Sequence, residues 1–196
     1  EMWSAGEEGG NALAEILFGE VNPSGHLPDT FAFRREDYSD WPNYPGTKET
    51  VKYAEGIYVG YRHFDKARIK PRFPFGYGLS YTTFAFSDLK APPTMTRGHQ
   101  AIVSVTVKNT GKRAGAEVVQ LYIHCLAPKV DRPIRELKGF QRVSLNPGQS
   151  ATVKFAVDDR SLSYWDTAHH RWQADRGPYA MEIGDNYRDI KLSGVV

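Results

Sequence analysis

From residue 101 the chain alternates strictly. Ala101, Val103, Val105 and Val107 fall on one side, and Ile102, Ser104, Thr106 and Lys108 on the other. A period of two predicts a β-strand with one buried face. Comparable runs precede and follow it: "TFAFSDLKA", "AEVVQLYIHC", "LKGFQRVSL", "ATVKFAV", "LSYWD", "YAMEIGD" and "DIKLSGV". The intervening "NTGKRAG", "NPGQ" and "DTAHH" carry the Gly, Pro, Asn and Asp of tight turns. Seven or eight short strands over roughly 115 residues predict a two-sheet β-sandwich.

The first residues follow a different rule. Leu13, Ile16 and Leu17 recur at i, i+3, i+4, which predicts a helix over 11–18 with Asn11 as N-cap and Gly19 as its stop. "NPSG" at 22–25 reads as a turn and "HLPDTF" at 26–31 as a short extended segment. Helix, turn and strand resemble the last unit of an α/β domain whose earlier strands are not in this chain. A helix of two turns is marginal in water, so its apolar face needs a partner. Leu13, Ile16 and Leu17 are therefore expected to be exposed, packed on the following segment, or covered by the rest of such a domain or a second copy. Residues 32–80 mix charge, rings and proline with little period and read as an extended connector, with strand-like alternation at Ile57, Val59 and Tyr61.

Composition narrows the function classes. Eleven Tyr and ten Phe supply the rings of a β-rich core. A net charge of +2 argues against nucleic acid and an anionic membrane surface as partners. No stretch approaches the ~20 apolar residues that span a bilayer. Cys125 is the single cysteine, so no disulfide bridges the sheets. A fibronectin-III-like sandwich fits better than a disulfide-bonded antibody type, and Cys125 reads as a buried, inert thiol.

Residue types alone nominate little chemistry. The six histidines show no metal-ligand spacing, and His169-His170 reads as a solvated hairpin turn. Neither a phosphate loop nor a nucleophile elbow occurs. Glu7-Glu8 stand just before the helix, where α/β folds place their sites. Asp158-Asp159 read as an ordinary turn, and Asp131-Arg132 and Arg135-Glu136 as exposed charge pairs. None makes an acid/base pair.

Five motifs, in order, carry a resemblance over nearly the whole chain, from Trp3 to about Gly184: "GEEGGNALAEILFGEVNPSGHLPDTF", "YAEGIYVGYRHFD", "FPFGYGLSYTTF", "GAEVVQLYI" and "RPIRELKGFQRVSLNPGQS". They resemble the C-terminal portion of glycoside hydrolase family 3, the β-glucosidases in particular. The resemblance implies a barrel, then an α/β sandwich, then a fibronectin-like domain. On that pattern residues 1–31 close the α/β sandwich, 32–80 connect, and 81–196 form the fibronectin-like domain. It also implies retention of configuration, with an Asp nucleophile and a Glu acid/base about 5–5.5 Å apart. Both family positions lie upstream of the "EGGN" helix, so no catalytic carboxylate is expected in this chain.

Ser39-Asp40-Trp41 matches the family's nucleophile triplet, but "RREDY" before it and Pro42 after it do not make a barrel strand, so the match is read as coincidence. Trp3 and Glu8 are the candidate border of a substrate pocket. The alternative puts Trp3 in the core and Glu8 at the helix cap. Tyr53, Tyr58, Tyr61, Phe64 and Phe75 are expected to glue the sandwich to its neighbours rather than to stack on sugar. The implied partner is a β-glucoside or oligosaccharide, with no cofactor or metal. Alternatives are a β-xylosidase or other exo-glycosidase of the family, or a free-standing carbohydrate-binding or interaction module.

Overall fold

The computed structural model describes residues 1–47 and 49–196 and is mainly β. One antiparallel sheet has the order β1-β2-β5, formed by Phe84–Lys90, Ala101–Asn109 and Ser150–Val157. The facing sheet has the order β4-β3-β8-β9, formed by Glu136–Leu145, Gly115–Cys125, Tyr179–Asn186 and Asp189–Val195. A hairpin of β6 (Tyr164–Asp166) and β7 (Arg171–Gln173) stands beside them. The expected sandwich is therefore present.

Its core is the alternation made solid. Val103, Val105 and Val107 of β2 and Val153, Phe155 and Val157 of β5 are buried against Val119, Leu121 and Ile123 of β3 and Met181 and Ile183 of β8. Ile102, on the other side of β2, is half exposed. Cys125 is buried in the same core. β3 and β8 break the alternation, because Gln120, Tyr122, Ala180 and Glu182 are buried as well. The connector lies over that second face, which explains why "AEVVQLYIHC" reads as a nearly continuous apolar run.

The covering segment differs from the expectation. Tyr61–Lys66 form a helix, α2, where alternation suggested a strand. Gly60 starts it with φ +54°, and the i, i+3 spacing brings Tyr61 and Phe64 to one side. Phe64, Tyr122 and Tyr187 form a second buried cluster, with Tyr38, Tyr61, Ile69 and Phe75 packed against it. Full burial of each large ring contributes about 1.5–3 kcal/mol.

Two further departures come from short elements. Asp158-Asp159 is a helix start, not a plain turn. Helix α3 (Asp159–Leu162) is closed by a reciprocal capping box between Asp158 and Ser161. "LSYWD" thus becomes strand only at Tyr164, and the three-residue β7 was too short to leave a periodic signal.

Helix α1 spans Gly9–Leu17, with Glu8 at the N-cap. Asn11 is not the cap; it lies inside the first turn and its side-chain amide donates to Glu8 Oε2 at 2.6 Å. The C-terminus ends as expected at Gly19, whose φ is +79°. The N–H groups of Gly19 and Glu20 reach the carbonyls of Ile16 (3.0 Å) and Glu15 (2.8 Å), the two bonds of a Schellman motif. Leu13, Leu17 and Phe18 are 39%, 68% and 85% exposed while Ile16 is partly buried, so most of the apolar side of this helix faces solvent. Its tethers are few: Tyr81 OH donates to the Ile16 carbonyl at 2.7 Å, and Arg113 donates to the Gly19 carbonyl at 3.1 Å. Among the described residues no helix is long and apolar enough to cross a membrane.

Candidate functional site

The residues before α1 form a tight local turn. Glu1 Oε1 accepts the N–H groups of Met2 (3.1 Å) and Trp3 (2.8 Å), and Trp3 sits at φ +47°. Trp3 is not core, because its side chain is 63% exposed. The indole lies tilted against Phe31 at 6.2 Å, Phe31 meets Phe73 at 6.5 Å, and Phe73 meets Tyr77 at 5.5 Å. The indole thus heads a row of rings running onto the connector. Glu8 is exposed at the start of α1; its side chain makes no capping bond and instead accepts from Asn11. Among the described residues no hydrogen bond, ion pair or ring contact joins Trp3 to Glu8. Together they offer a largely exposed indole and an exposed carboxylate, groups that can hold a sugar but do not constitute an acid/base pair.

Asp40 lies at the head of a 3-10 turn, Trp41–Asn43, and not at the end of a strand. Its carbonyl accepts the N–H groups of Asn43 and Tyr44, and Arg35 stacks over the neighbouring Trp41 at 4.6 Å. Among the described residues no cluster of three His, Cys, Asp or Glu could hold a metal ion.

The connector rings meet the sandwich as glue. Tyr61 stacks on Phe75 at 5.0 Å and contacts Tyr187 and Tyr122 at 5.4 and 6.2 Å, while its hydroxyl accepts the Leu137 N–H at 3.0 Å. Burial pushes the Tyr122 phenol far above its ordinary range, and its OH donates to Gln120. Tyr58 is held from outside by the Lys66 ammonium over its ring and by Asp131, to which it donates at 2.6 Å. Tyr53 is the exception, 86% exposed.

The charge pairs read as exposed are for the most part not. Arg132 is 5% exposed and Glu136 13%, and they pair at 2.8 Å. Arg62 of α2 and Lys138 of β4 approach the same Glu136 carboxylate at 3.3 and 3.6 Å. Arg135 bridges Asp65 of α2 and Glu182 of β8 at 3.3 and 3.1 Å. Asp131 alone keeps the expected exposure and pairs with Lys66. A signal was present in "RPIRELKG": Arg132, Glu136 and Lys138 fall at even spacings, which brings them to one side of an extended segment. A second buried pair, His26 with Glu117 at 3.3 Å, joins residues 91 positions apart and left no local signal.

His169 behaves as a hairpin-turn residue, exposed and paired with Asp166 at 2.7 Å.

Residues 1–81 match the glycosyl hydrolase family 3 C-terminal domain, and residues 117–187 match the fibronectin type III-like domain. Thermostable beta-glucosidase B of Acetivibrio thermocellus is 46% identical over 98% of this chain, a match to 26% of that protein. The family 3 β-glucosidase of Bifidobacterium adolescentis superposes with a TM-score of 0.95 at 40% identity, over 100% of this chain and 29% of that one. β-Glucosidase 3B of Thermotoga neapolitana, in complex with glucose, gives 0.92 at 40% identity over 100% and 27%. The chain spans about a quarter of the length of the curated relatives it matches. In sequence and fold this chain matches the C-terminal part of glycoside hydrolase family 3 members.

Proposed function

We propose that the chain works as the C-terminal portion of a retaining β-glucosidase that removes terminal β-glucosyl residues from oligosaccharides or glucosides. In this reading both catalytic carboxylates lie in parts of the protein outside these 196 residues. Residues 1–31 complete an α/β domain, 32–80 connect, and 81–196 form a positioning domain. The observation that carries the proposal is the likeness of the entire chain to β-glucosidases at 40% identity and above. The solvent-facing Leu13, Leu17 and Phe18 supply an unpaired apolar surface on which the rest of such an enzyme can pack. Trp3, with its open ring, and Glu8 are assigned to the border of the glucoside pocket, a role in binding and not in bond cleavage.

The test is an assay of this chain and of the full-length protein on an aryl β-glucoside and an aryl β-xyloside. The expected result is turnover of the glucoside by the full-length protein and none by the chain. Turnover by the chain at a comparable rate overturns the assignment of the carboxylates. A preference for the xyloside overturns the assignment of the sugar.

A further inference from the structure

A groove of about 640 Å³ runs between the β6–β7 hairpin, the start of β4 and α2. Four cationic side chains line it, Arg62, Arg132, Lys138 and Arg160, with three carboxylates, Asp131, Glu136 and Asp166. Two of those carboxylates are already engaged. Asp131 is held by Lys66 at 2.8 Å and by the Tyr58 hydroxyl at 2.6 Å. Asp166 is held by His169 at 2.7 Å and by the backbone N–H groups of Ala168 and His169. Lys66 offsets Asp131 from outside the groove, so four cationic side chains face the two remaining carboxylates, Glu136 and Asp166, and Glu136 alone meets Arg132, Arg62 and Lys138.

Lys138 is the most under-served of the three. Its ammonium has three donors, and among the described residues its one ionic contact is Glu136 at 3.6 Å, beyond hydrogen-bond length. Burial beside two guanidinium groups holds its pKa below the ordinary lysine value. An ammonium whose donors are not taken up by protein groups can receive an anion in the space before it.

The wall of the groove is aromatic. Trp165 and Trp172 pair across the hairpin, edge to face at 5.3 Å, and remain 46% and 47% exposed. The Arg160 guanidinium already lies on the face of Trp172, so Trp165 is the indole left for a ligand. The contact with Trp172 restrains that ring, so a flat apolar surface can dock on it at a reduced entropy cost.

We propose that this groove binds an acidic carbohydrate, a uronosyl residue whose carboxylate meets Lys138 and Arg62 while its pyranose C–H face rests on Trp165. A neutral sugar brings the face without the charge. An acidic peptide brings the charge without the face.

The experiment titrates the 196-residue chain with β-D-glucuronosyl-(1→4)-glucose, cellobiose and a hexa-glutamate peptide, followed by calorimetry and tryptophan fluorescence. The acidic disaccharide is expected to bind about tenfold more tightly than cellobiose at low salt, and the advantage to shrink at about 0.5 M salt. Lys138→Gln should remove most of that advantage and Trp165→Ala most of the binding, with thermal melts checking that both variants fold. Equal affinity for cellobiose, absence of binding, or an advantage that survives both Lys138→Gln and high salt overturns the proposal. Tighter binding of the peptide, lost in Lys138→Gln, also overturns it, in favour of a protein partner.

Discussion

Nε2 of His26 lies 3.3 Å from Oε1 of Glu117, and the pair fastens the segment after the first turn to β3. On its other side the imidazole meets the carbonyls of Gly76 and Asp185 through Nδ1, the latter at 3.2 Å. Two carbonyls around Nδ1 require it to be the donor. Nε2 then faces Glu117 Oε1, which also accepts the Val118 N–H at 3.0 Å. Two parts of the chain distant in sequence thus meet at one buried pair.

That arrangement sets a pH dependence. Burial, the largest influence, raises the Glu117 pKa above its ordinary 4.5, although His26 opposes the shift. A carboxyl with a raised folded-state pKa favours folding fully below 4.5, and that contribution is lost as pH rises through the higher value. Glu117→Gln keeps the shape of the protonated form and cannot ionise. Urea unfolding should therefore find the variant's stability relative to wild type smallest near about pH 4 and growing towards about pH 7. A difference that does not change with pH contradicts the raised Glu117 pKa.

Gly76 closes the same joint. Its φ is +83°, and a Cβ there would strike the Gln120 carboxamide. That amide donates to the carbonyls of Gly76 (3.2 Å) and Asp185 (2.6 Å), so it has little room to retreat. Gly76→Ala should cost about 2 kcal/mol or more, from backbone strain and overpacking together. Denaturant midpoints measure it, and a neutral result would mean that Gln120 swings away freely.

Tyr61 separates packing from hydrogen bonding in one side chain. Tyr61→Phe removes the acceptor of the Leu137 N–H and should cost about 1 kcal/mol. Tyr61→Ala also removes the ring from between Phe75, Tyr122 and Tyr187 and should cost about 3–5 kcal/mol. Equal losses from the two variants would contradict the stacking role.

Asp158 should act locally. Its side chain accepts from the N–H and the hydroxyl of Ser161, each at 2.8 Å, and these bonds lower its pKa below 3.8. A lowered carboxyl stabilises the fold above 3.8, and the contribution disappears as pH falls through its folded value. Asp158→Ala should cost about 1 kcal/mol at neutral pH and less in acid, read from thermal melts at both.

The sandwich was legible because one face of β2 and β5 is buried and the other wet, so the buried valines repeat at every second position. The end of α1 was legible because only a residue tolerant of positive φ suits Gly19. Helix α2 is six residues long and is shaped by the surface of β3 and β8 beneath it, so its own periodicity is too brief to oppose the alternation just upstream. The Arg132–Glu136–Lys138 cluster was misread because exposure was judged from residue type, while its burial comes from α2, some seventy positions earlier. Asn11 was read as the N-cap because its side chain suits that role, but the helix starts at Gly9, which puts Glu8 at the cap position as the alternative had it. Trp3 and Glu8 were singled out through resemblance to a family and not through any contact between them.

The exposed side of α1 tests the proposed place of this chain in a larger enzyme. Leu17 and Phe18 are 68% and 85% exposed, so replacing either with Glu removes almost no packing within these 196 residues. Leu17→Glu and Phe18→Glu should each shift the stability of the chain by no more than about 0.5 kcal/mol. In the full-length protein the same positions are proposed to lie against the remainder of the α/β domain, where a buried unpaired carboxylate costs several-fold more. The expected outcome is an unchanged melt for the chain, together with a lowered melting temperature and reduced aryl β-glucosidase activity for the full-length variants. If the full-length variants melt and turn over like wild type, the apolar side of α1 is not a domain contact, and residues 1–31 do not complete the α/β domain in the way proposed.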